Sequence, residues 1–244
     1  MMHLTPTWHA PNNIGALSTT REGGFSDAPF ASLNLGLHVG DNQQHVKQNR
    51  QVLTTDYLPA SPIWLNQVHS SDVVIVDEHF DYKTTLTGDA LFTRVQNQPL
   101  AIMTADCLPI LLSTQCGNEI AAIHGGWRGL NAGIIANTVS NFSFPASDII
   151  AWLGPAIGAQ QFEVGAEVKA SFIEQSVEYE QAFSALKINK YLLDIYAIAQ
   201  LQLRQTGVKT ISGGEHCTVS QPEMFFSYRR DGKTGRMASL IWRK

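Results

Sequence analysis

Between residues 62 and 126 the chain carries five apolar segments, one after another: "PIWLNQVHS" (62–70), "DVVIVDE" (72–78), "DALFTR" (89–94), "PLAIMTADCLPILLS" (99–113) and "EIAAIHGG" (119–126). Their β-branched and aromatic content reads as strands. A run of consecutive strands is not the regular strand–helix alternation of a dinucleotide-binding fold, and no GxGxxG follows any of them. "IGALSTT" (14–20), "DIIAWLGPAIG" (148–158), "VKTISGG", "MFFSYRR" and "RMASLIWR" add further strands. Helices are expected at four places. Asp41 caps the first, over "NQQHVKQNRQVLTTD", which stops before Pro59. The others cover "LNAGIIANTVSNF", "VGAEVKASFIEQS" (164–176) and "YLLDIYAIAQLQLRQTG" (191–207), with Gly207 as a stop. Many strands and few helices in mixed order predict an α+β protein. It is a layered α/β sandwich with mixed β-sheets flanked by helices. With 244 residues, 44% of them hydrophobic, a sizeable core fits in one domain over 1–244. No internal repeat or low-complexity linker divides it.

Charge narrows the partners. The net charge is −4 and the pI near 6.0, so no basic stripe exists to release counterions from a nucleic acid. The one dense basic patch, "YRRDGKTGR" (228–236), could hold one phosphate but not a duplex. Three cysteines, Cys107, Cys116 and Cys217, cannot close a disulfide framework, and a reducing compartment is expected. The first thirteen residues lack a basic region followed by an apolar run. No apolar stretch approaches the ~18–20 residues of a membrane span. These features predict a cytoplasmic protein acting on small molecules, without nucleic acid or membrane; they do not fix its oligomeric state.

Three residues with soft or borderline side chains sit at the ends of predicted strands: His69 in "NQVHS", Cys107 in "TADCLPI" and His124 in "AAIHGGWRG". Two imidazoles and a thiolate make a three-ligand set for Zn²⁺ with the fourth position open. Zinc there would bring the pKa of bound water toward ~7. Asp106 or Asp89 would orient a ligand or accept a proton. Singly, Cys107 reads as a buried structural thiol and each histidine as a hydrogen-bonded one. Neighbourhood raises the joint reading, because Cys107 adjoins Asp106 and His124 opens a Gly-Gly turn.

Further constellations surround these. In "HGGWRGLNAG" (124–133) the glycines let backbone approach a ligand, a helix start favours an anion, and Arg128 adds a bidentate fork. Trp127 suits either stacking or packing. Arg21 in "STTREGGFS" and Asn34 in "NLGLHVGD" lie in Gly-rich loops that suit substrate positioning or a structural turn. Arg229 belongs to the basic patch and is a further anion candidate, whereas Arg230 and Lys233 read as a solvated turn. His38 and Asp41 read as structural or capping residues.

"TTREGGFS", "NLGLHVGD", "NQVHS", "GDAL", "TADCLPILL", "AAIHGGWRGL", "LGPAIGAQQFEVG" and "FFSYRRDGKTGRMASLI" follow in this order across nearly the whole chain. Together they resemble the YfiH family, also called laccase-like multicopper polyphenol oxidases, which has a mammalian relative, FAMIN. The resemblance implies a single-domain αβ sandwich related in fold to the cytotoxic necrotizing factor toxins, which have a Cys–His active site. It implies zinc at His69, Cys107 and His124. It also implies phosphorolysis of adenosine, inosine and methylthioadenosine to base and ribose 1-phosphate, with adenosine deamination. The family segment after "GPAIG" usually reads Pro-Cys; here a cysteine is missing near Gln160, while Phe162 and Glu163 keep the pattern.

The expected enzyme is therefore a zinc-dependent purine nucleoside phosphorylase and adenosine deaminase. Cys107, His124 and Asp106 are its catalytic residues, and Arg128, Arg21, Asn34 and Arg229 bind nucleoside or phosphate. One alternative is a copper-binding polyphenol oxidase. Eight histidines without an HxH pair argue against several coppers, although one N/S site can hold a single copper. Another is a metal-free hydrolase of peptidoglycan precursors, with Cys107 as nucleophile and His124 or His69 as base. A non-enzymatic reading makes the zinc a structural staple, which calls for a fourth protein ligand.

Overall fold

The structure, a computed structural model, describes residues 2–80 and 86–244. Its strands are β1 (His3–Leu4), β2 (Ile14–Thr19), β3 (Val73–Val76), β4 (Ala90–Thr93), β5 (Leu100–Thr104), β6 (Leu108–Thr114) and β7 (Ile120–Gly125). They continue with β8 (Ile149–Leu153), β9 (Glu163–Gly165), β10 (Phe183–Lys187), β11 (Lys190–Leu193), β12 (Thr210–Gly213) and β13 (Met237–Arg243). The α-helices are α1 (Gln43–Tyr57), α2 (Trp127–Asn131), α3 (Ile134–Val139), α4 (Ala166–Ile173), α5 (Ile195–Gln205) and α6 (Tyr228–Asp231). A mixed six-stranded sheet has the order β12-β8-β6-β7-β4-β3, an antiparallel four-stranded sheet the order β1-β2-β13-β5, and a small one the order β10-β11-β9. This is the mixed-sheet α/β layering expected from the sequence. None of the described helices is long and apolar enough to cross a membrane.

Alternation along the central strands explains why they are apolar throughout. Phe92, Ile110, Leu112 and Ile123 pack against Leu130, Ile134, Ile198 and Leu203 of the helical layer. Their neighbours Leu91, Leu111 and Ala122 point the other way, onto Leu100, Ile102 and Ile241 of the four-stranded sheet. A sheet buried on both faces needs near-continuous hydrophobic strands. The outer face of the four-stranded sheet is closed in turn by Leu53 of α1 over Leu17, Ala101 and Leu240.

Several elements depart from expectation. "PLAIMTADCLPILLS" is two strands, β5 and β6, in different sheets. Asp106, with φ 95°, sits where the chain crosses between them. "PIWLNQVHS" makes only isolated bridges, at Ile63 and Asn66. "LNAGIIANTVSNF" divides at Gly133, whose φ of 85° ends the helical path. In "YLLDIYAIAQLQLRQTG" the first residues form β11 on β9, and Asp194 then caps α5 by accepting from Ala197 N. "MFFSYRR" is not a strand. Phe225 and Phe226 are core residues packed with Met237, and Ser227 then caps α6. Asn42, rather than Asp41, caps α1, its side chain accepting from Gln44 N.

Candidate functional site

The register of β6 on β7 pairs Pro109 with His124 and Leu108 with Gly125. Cys107 is two residues before Pro109, so it falls on the same face as His124 and diagonal to it. His69 arrives from the 66–70 turn with φ 62°. The three donor atoms, one from each side chain, lie within 4.8 Å of one another. Cys107 Sγ is 3.7 Å from His69 Nε2, and the two imidazoles meet edge-on with centroids 4.8 Å apart.

One carboxylate holds this group together. Asp89, fully buried before β4, accepts the backbone N–H groups of Val68, His69 and Ser70 and the Ser70 hydroxyl. Its Oδ1 is also 2.8 Å from His124 Nδ1. The turn that carries His69 and the ring of His124 are thus fixed by the same side chain. An Nδ1–H donated to Asp89 leaves the His124 Nε2 lone pair for the site. Burial alone would push the Asp89 carboxyl up, but the hydrogen bonds from His124, Ser70 and His69 hold it at about 2.

The thiol and imidazole polarise each other. Burial opposes ionisation of Cys107, yet the adjoining His124 charge and the hydrogen bonds of His124 and His69 bring it down to about 6. Burial likewise opposes protonation of His124, but the Cys107 charge and Asp89 raise it to about 9. The donor set is two nitrogens and a thiolate, which suits zinc or copper. Space has been left beside it: a Cβ on Gly126 would stand 2.7 Å from His69 Cδ2 and 3.4 Å from Cys107 Sγ. Among the described residues this is the one such cluster of His, Cys, Asp and Glu donors.

The donors form the floor of a cavity of about 510 Å³. Ile157, Phe162 and Ile195 supply an apolar wall, and Arg128, Arg229 and Arg236 supply guanidinium groups. Arg128 lies over the Trp127 ring at 4.3 Å. Arg229 donates to the carbonyls of Gln161 and Glu163 and lies over Phe162. Asp106 borders the cavity, but both its oxygens are engaged. Oδ1 accepts from the Thr218 hydroxyl at 2.6 Å and Oδ2 from Arg229 N at 2.7 Å. It ties the loops of Thr218 and Arg229 to the strand end that carries Cys107, which is the orienting half of what was expected of it.

Arg21 and Asn34 are not brought to the cavity wall. Arg21 donates to Ala31 O and Pro222 O and covers the Phe226 ring. Asn34 is buried, donating to Gly36 O and Asp41 and accepting from the backbone of Gly36 and Arg236. Both are loop-building residues. Sequence pattern assigns His38 to structure or capping and leaves Arg236 without a role within the basic patch, yet both line the cavity. The signal was position: each lies in a motif that also carries a buried Asn34 contact, and that link is invisible without the fold.

The fold is that of a recognised class, and the chain belongs to the family described as multi-copper polyphenol oxidoreductase laccase, which it matches over residues 15–244. It is a member of the YfiH group within that description. A Haemophilus influenzae protein named purine nucleoside phosphorylase is 48% identical over 246 residues, covering 99% of each chain. Purine nucleoside phosphorylase YfiH of Escherichia coli (strain K12) is 47% identical over 241 residues, 98% of each. The crystal structure of a Neisseria meningitidis protein superposes with a TM-score of 0.94 at 45% identity, covering 99% of both chains. That of Bacillus licheniformis hypothetical protein YfiH gives 0.88 at 34%, covering 96% of this chain and 94% of that one.

Proposed function

We propose that this protein is a zinc-dependent purine nucleoside phosphorylase that also deaminates adenosine. The observation that carries the reading is a His–Cys–His floor beneath a cavity with one apolar wall and several guanidiniums. Relatives named purine nucleoside phosphorylase, at 48% and 47% identity over almost the whole chain, support it. The substrates are adenosine, inosine and methylthioadenosine, with phosphate. His69, Cys107 and His124 hold the metal. Bound zinc supplies Lewis acidity at the cavity floor. Asp89 keeps the His124 Nδ1 proton in place and so keeps Nε2 directed at the site. Ile157, Phe162 and Ile195 give a flat heterocycle an apolar surface that excludes water. Arg128 and Arg229 face the polar part of the substrate. The test is metal content after purification without added metal, followed by adenosine and inosine turnover with and without phosphate. About one zinc per chain and phosphate-dependent release of base support the reading. Neither product from zinc-loaded protein overturns it.

A second reading rests on the Cys107–His124–Asp89 alignment, which without metal is a thiolate–imidazolium pair braced by a carboxylate. It makes the chain a Cys–His hydrolase, and activity that rises on chelation would favour it. A multicopper oxidase needs more donor clusters than the described residues offer.

A further inference from the structure

Three guanidiniums border the cavity, and among the described residues none of them forms an ion pair with a carboxylate. Arg128 lies over the Trp127 ring and Arg229 donates to two backbone carbonyls. Arg236 lies 6.0 Å from the Tyr228 ring centroid and its Nη1 donates to the carbonyls of Thr234 and Gly235, while its Nε and Nη2 hydrogen-bond to no described residue. The side chain is half-buried and built in. Asn34 Oδ1 accepts its backbone N–H, Leu35 N donates to its carbonyl, and a Cβ on Gly36 would meet its Cγ at 2.9 Å.

Two residues beyond Gly36 comes His38, open to the same cavity and also without a hydrogen-bond partner among the described residues. Arg50 of α1 donates Nε to Leu35 O, lies 4.0 Å over the Trp64 ring and touches Met103 Sδ, and its charge acts on His38. Burial, with the charges of Arg236 and Arg50, holds the His38 imidazole below its ordinary pKa. This corner therefore collects two cations and an imidazole. The one carboxylate on the cavity wall, Asp106, spends both oxygens on Thr218 and Arg229. The charges of Cys107 and Asp106 act on Arg236, yet neither group hydrogen-bonds to it, so its burial is only partly offset, and a bound anion with several acceptor oxygens offsets the rest.

We propose that Arg236 and His38 form an oxyanion subsite of this cavity, and that its ligand is a phosphate-type dianion. Arg236 offers Nε and Nη2 as a fork, His38 one ring N–H, and Arg50 acts as a positioning residue. The choice of inorganic phosphate as occupant rests on the phosphorolysis reading; the same chemistry would also take the 5′-phosphoryl group of a nucleotide.

The experiment is calorimetric titration of zinc-loaded protein, in phosphate-free buffer, with inorganic phosphate and separately with adenosine 5′-monophosphate. The variants are Arg236→Met, Arg236→Lys and His38→Ala, with Lys47→Ala, exposed on α1, as a charge control. Arg236→Met is expected to weaken phosphate at least tenfold, about the value of one charge-assisted fork. Arg236→Lys keeps the charge but not the fork and falls between. His38→Ala weakens binding severalfold, and Lys47→Ala stays within twofold. Should Arg236→Met fail to fold, Arg236→Lys carries the test. Unchanged phosphate and nucleotide affinity in the Arg236 and His38 variants overturns the subsite, as does the absence of binding of either ligand to the unaltered chain. Arg236-dependent binding of the nucleotide alone upholds it with the nucleotide as source. Arg236-dependent phosphate binding without base release from inosine sinks phosphorolysis and leaves the subsite standing. Base release with an unchanged phosphate KM in Arg236→Met does the reverse.

Discussion

Asp89 Oδ1 accepts hydrogen bonds from both His124 Nδ1, at 2.8 Å, and the backbone N–H of His69, at 2.9 Å. One oxygen thus sets the ring orientation of one donor and the backbone of the other. His69 holds φ 62°, a conformation that costs a non-glycine residue energy unless its surroundings enforce it. Three consecutive N–H groups converging on Asp89 enforce it. Asp89→Asn keeps the size but loses the charge, and its amide cannot accept all these donors at once. Zinc affinity, measured by competition with a chromophoric chelator, is expected to fall about 10- to 100-fold while the fold is kept. Affinity within twofold of the unaltered chain would show that Asp89 does not organise the site.

The ionisation of Cys107 gives a pH-dependent outcome. The thiol of the chelated protein is held at about 6, against ~8.5 for a free cysteine. The thiolate is the reactive form, so it persists above about pH 6 and is lost as pH falls through that value. Iodoacetamide alkylation of Cys107, followed peptide by peptide because Cys116 is exposed, should reach half its limiting rate near pH 6 after chelation. With zinc restored, labelling of Cys107 should be strongly suppressed. A midpoint at pH 8 or above contradicts the coupling to His124, and undiminished labelling of the zinc form contradicts the metal assignment.

Much of this architecture was readable because burial on both faces leaves a strong apolar signature, as in Leu108–Thr114 and Ile120–Gly125. What periodicity could not show is a change of partner. Nothing in "PLAIMTADCLPILLS" marks the crossing from one sheet to another, because both halves are equally apolar. The crossing rests on the backbone of Asp106. "MFFSYRR" misled for the same reason: Phe225 and Phe226 are apolar because the core closes over them, not because they pair in a strand. The grouping of His69, Cys107 and His124 came from their places at strand ends. The roles of Asp89 and Arg236 depend on contacts made across 35 and 202 residues, to His124 and to Asn34. Spacing along the chain carries no record of those.

The space beside the donors gives a steric test. Gly126 has φ −69° and ψ 152°, which any residue adopts, so alanine there brings no backbone strain. Its Cβ would nonetheless meet His69 Cδ2 at 2.7 Å, and the imidazole must turn away. Gly126→Ala is expected to weaken zinc binding at least tenfold with little change in the melting temperature of the chelated protein. Equal losses in both would mean that the glycine serves packing rather than the donor geometry.

The Thr218–Asp106 hydrogen bond separates cavity shape from metal binding. Thr218 is fully buried, and its hydroxyl donates to Asp106 Oδ1 at 2.6 Å, while its backbone N–H donates to Ala156 O on the loop that carries Ile157. Asp106 in turn accepts from Arg229 N and, through its carbonyl, from Ile157 N. Thr218→Val keeps the shape and removes the donor, leaving one carboxylate oxygen short of a partner. A loss of about 1–3 kcal/mol in unfolding free energy is expected from that unsatisfied oxygen. Because Asp106 positions Arg229 and Ile157 rather than the metal donors, the nucleoside KM should rise severalfold while zinc content stays at that of the unaltered chain. Loss of zinc in Thr218→Val, with KM unchanged, would move Asp106 from the cavity wall to the metal site.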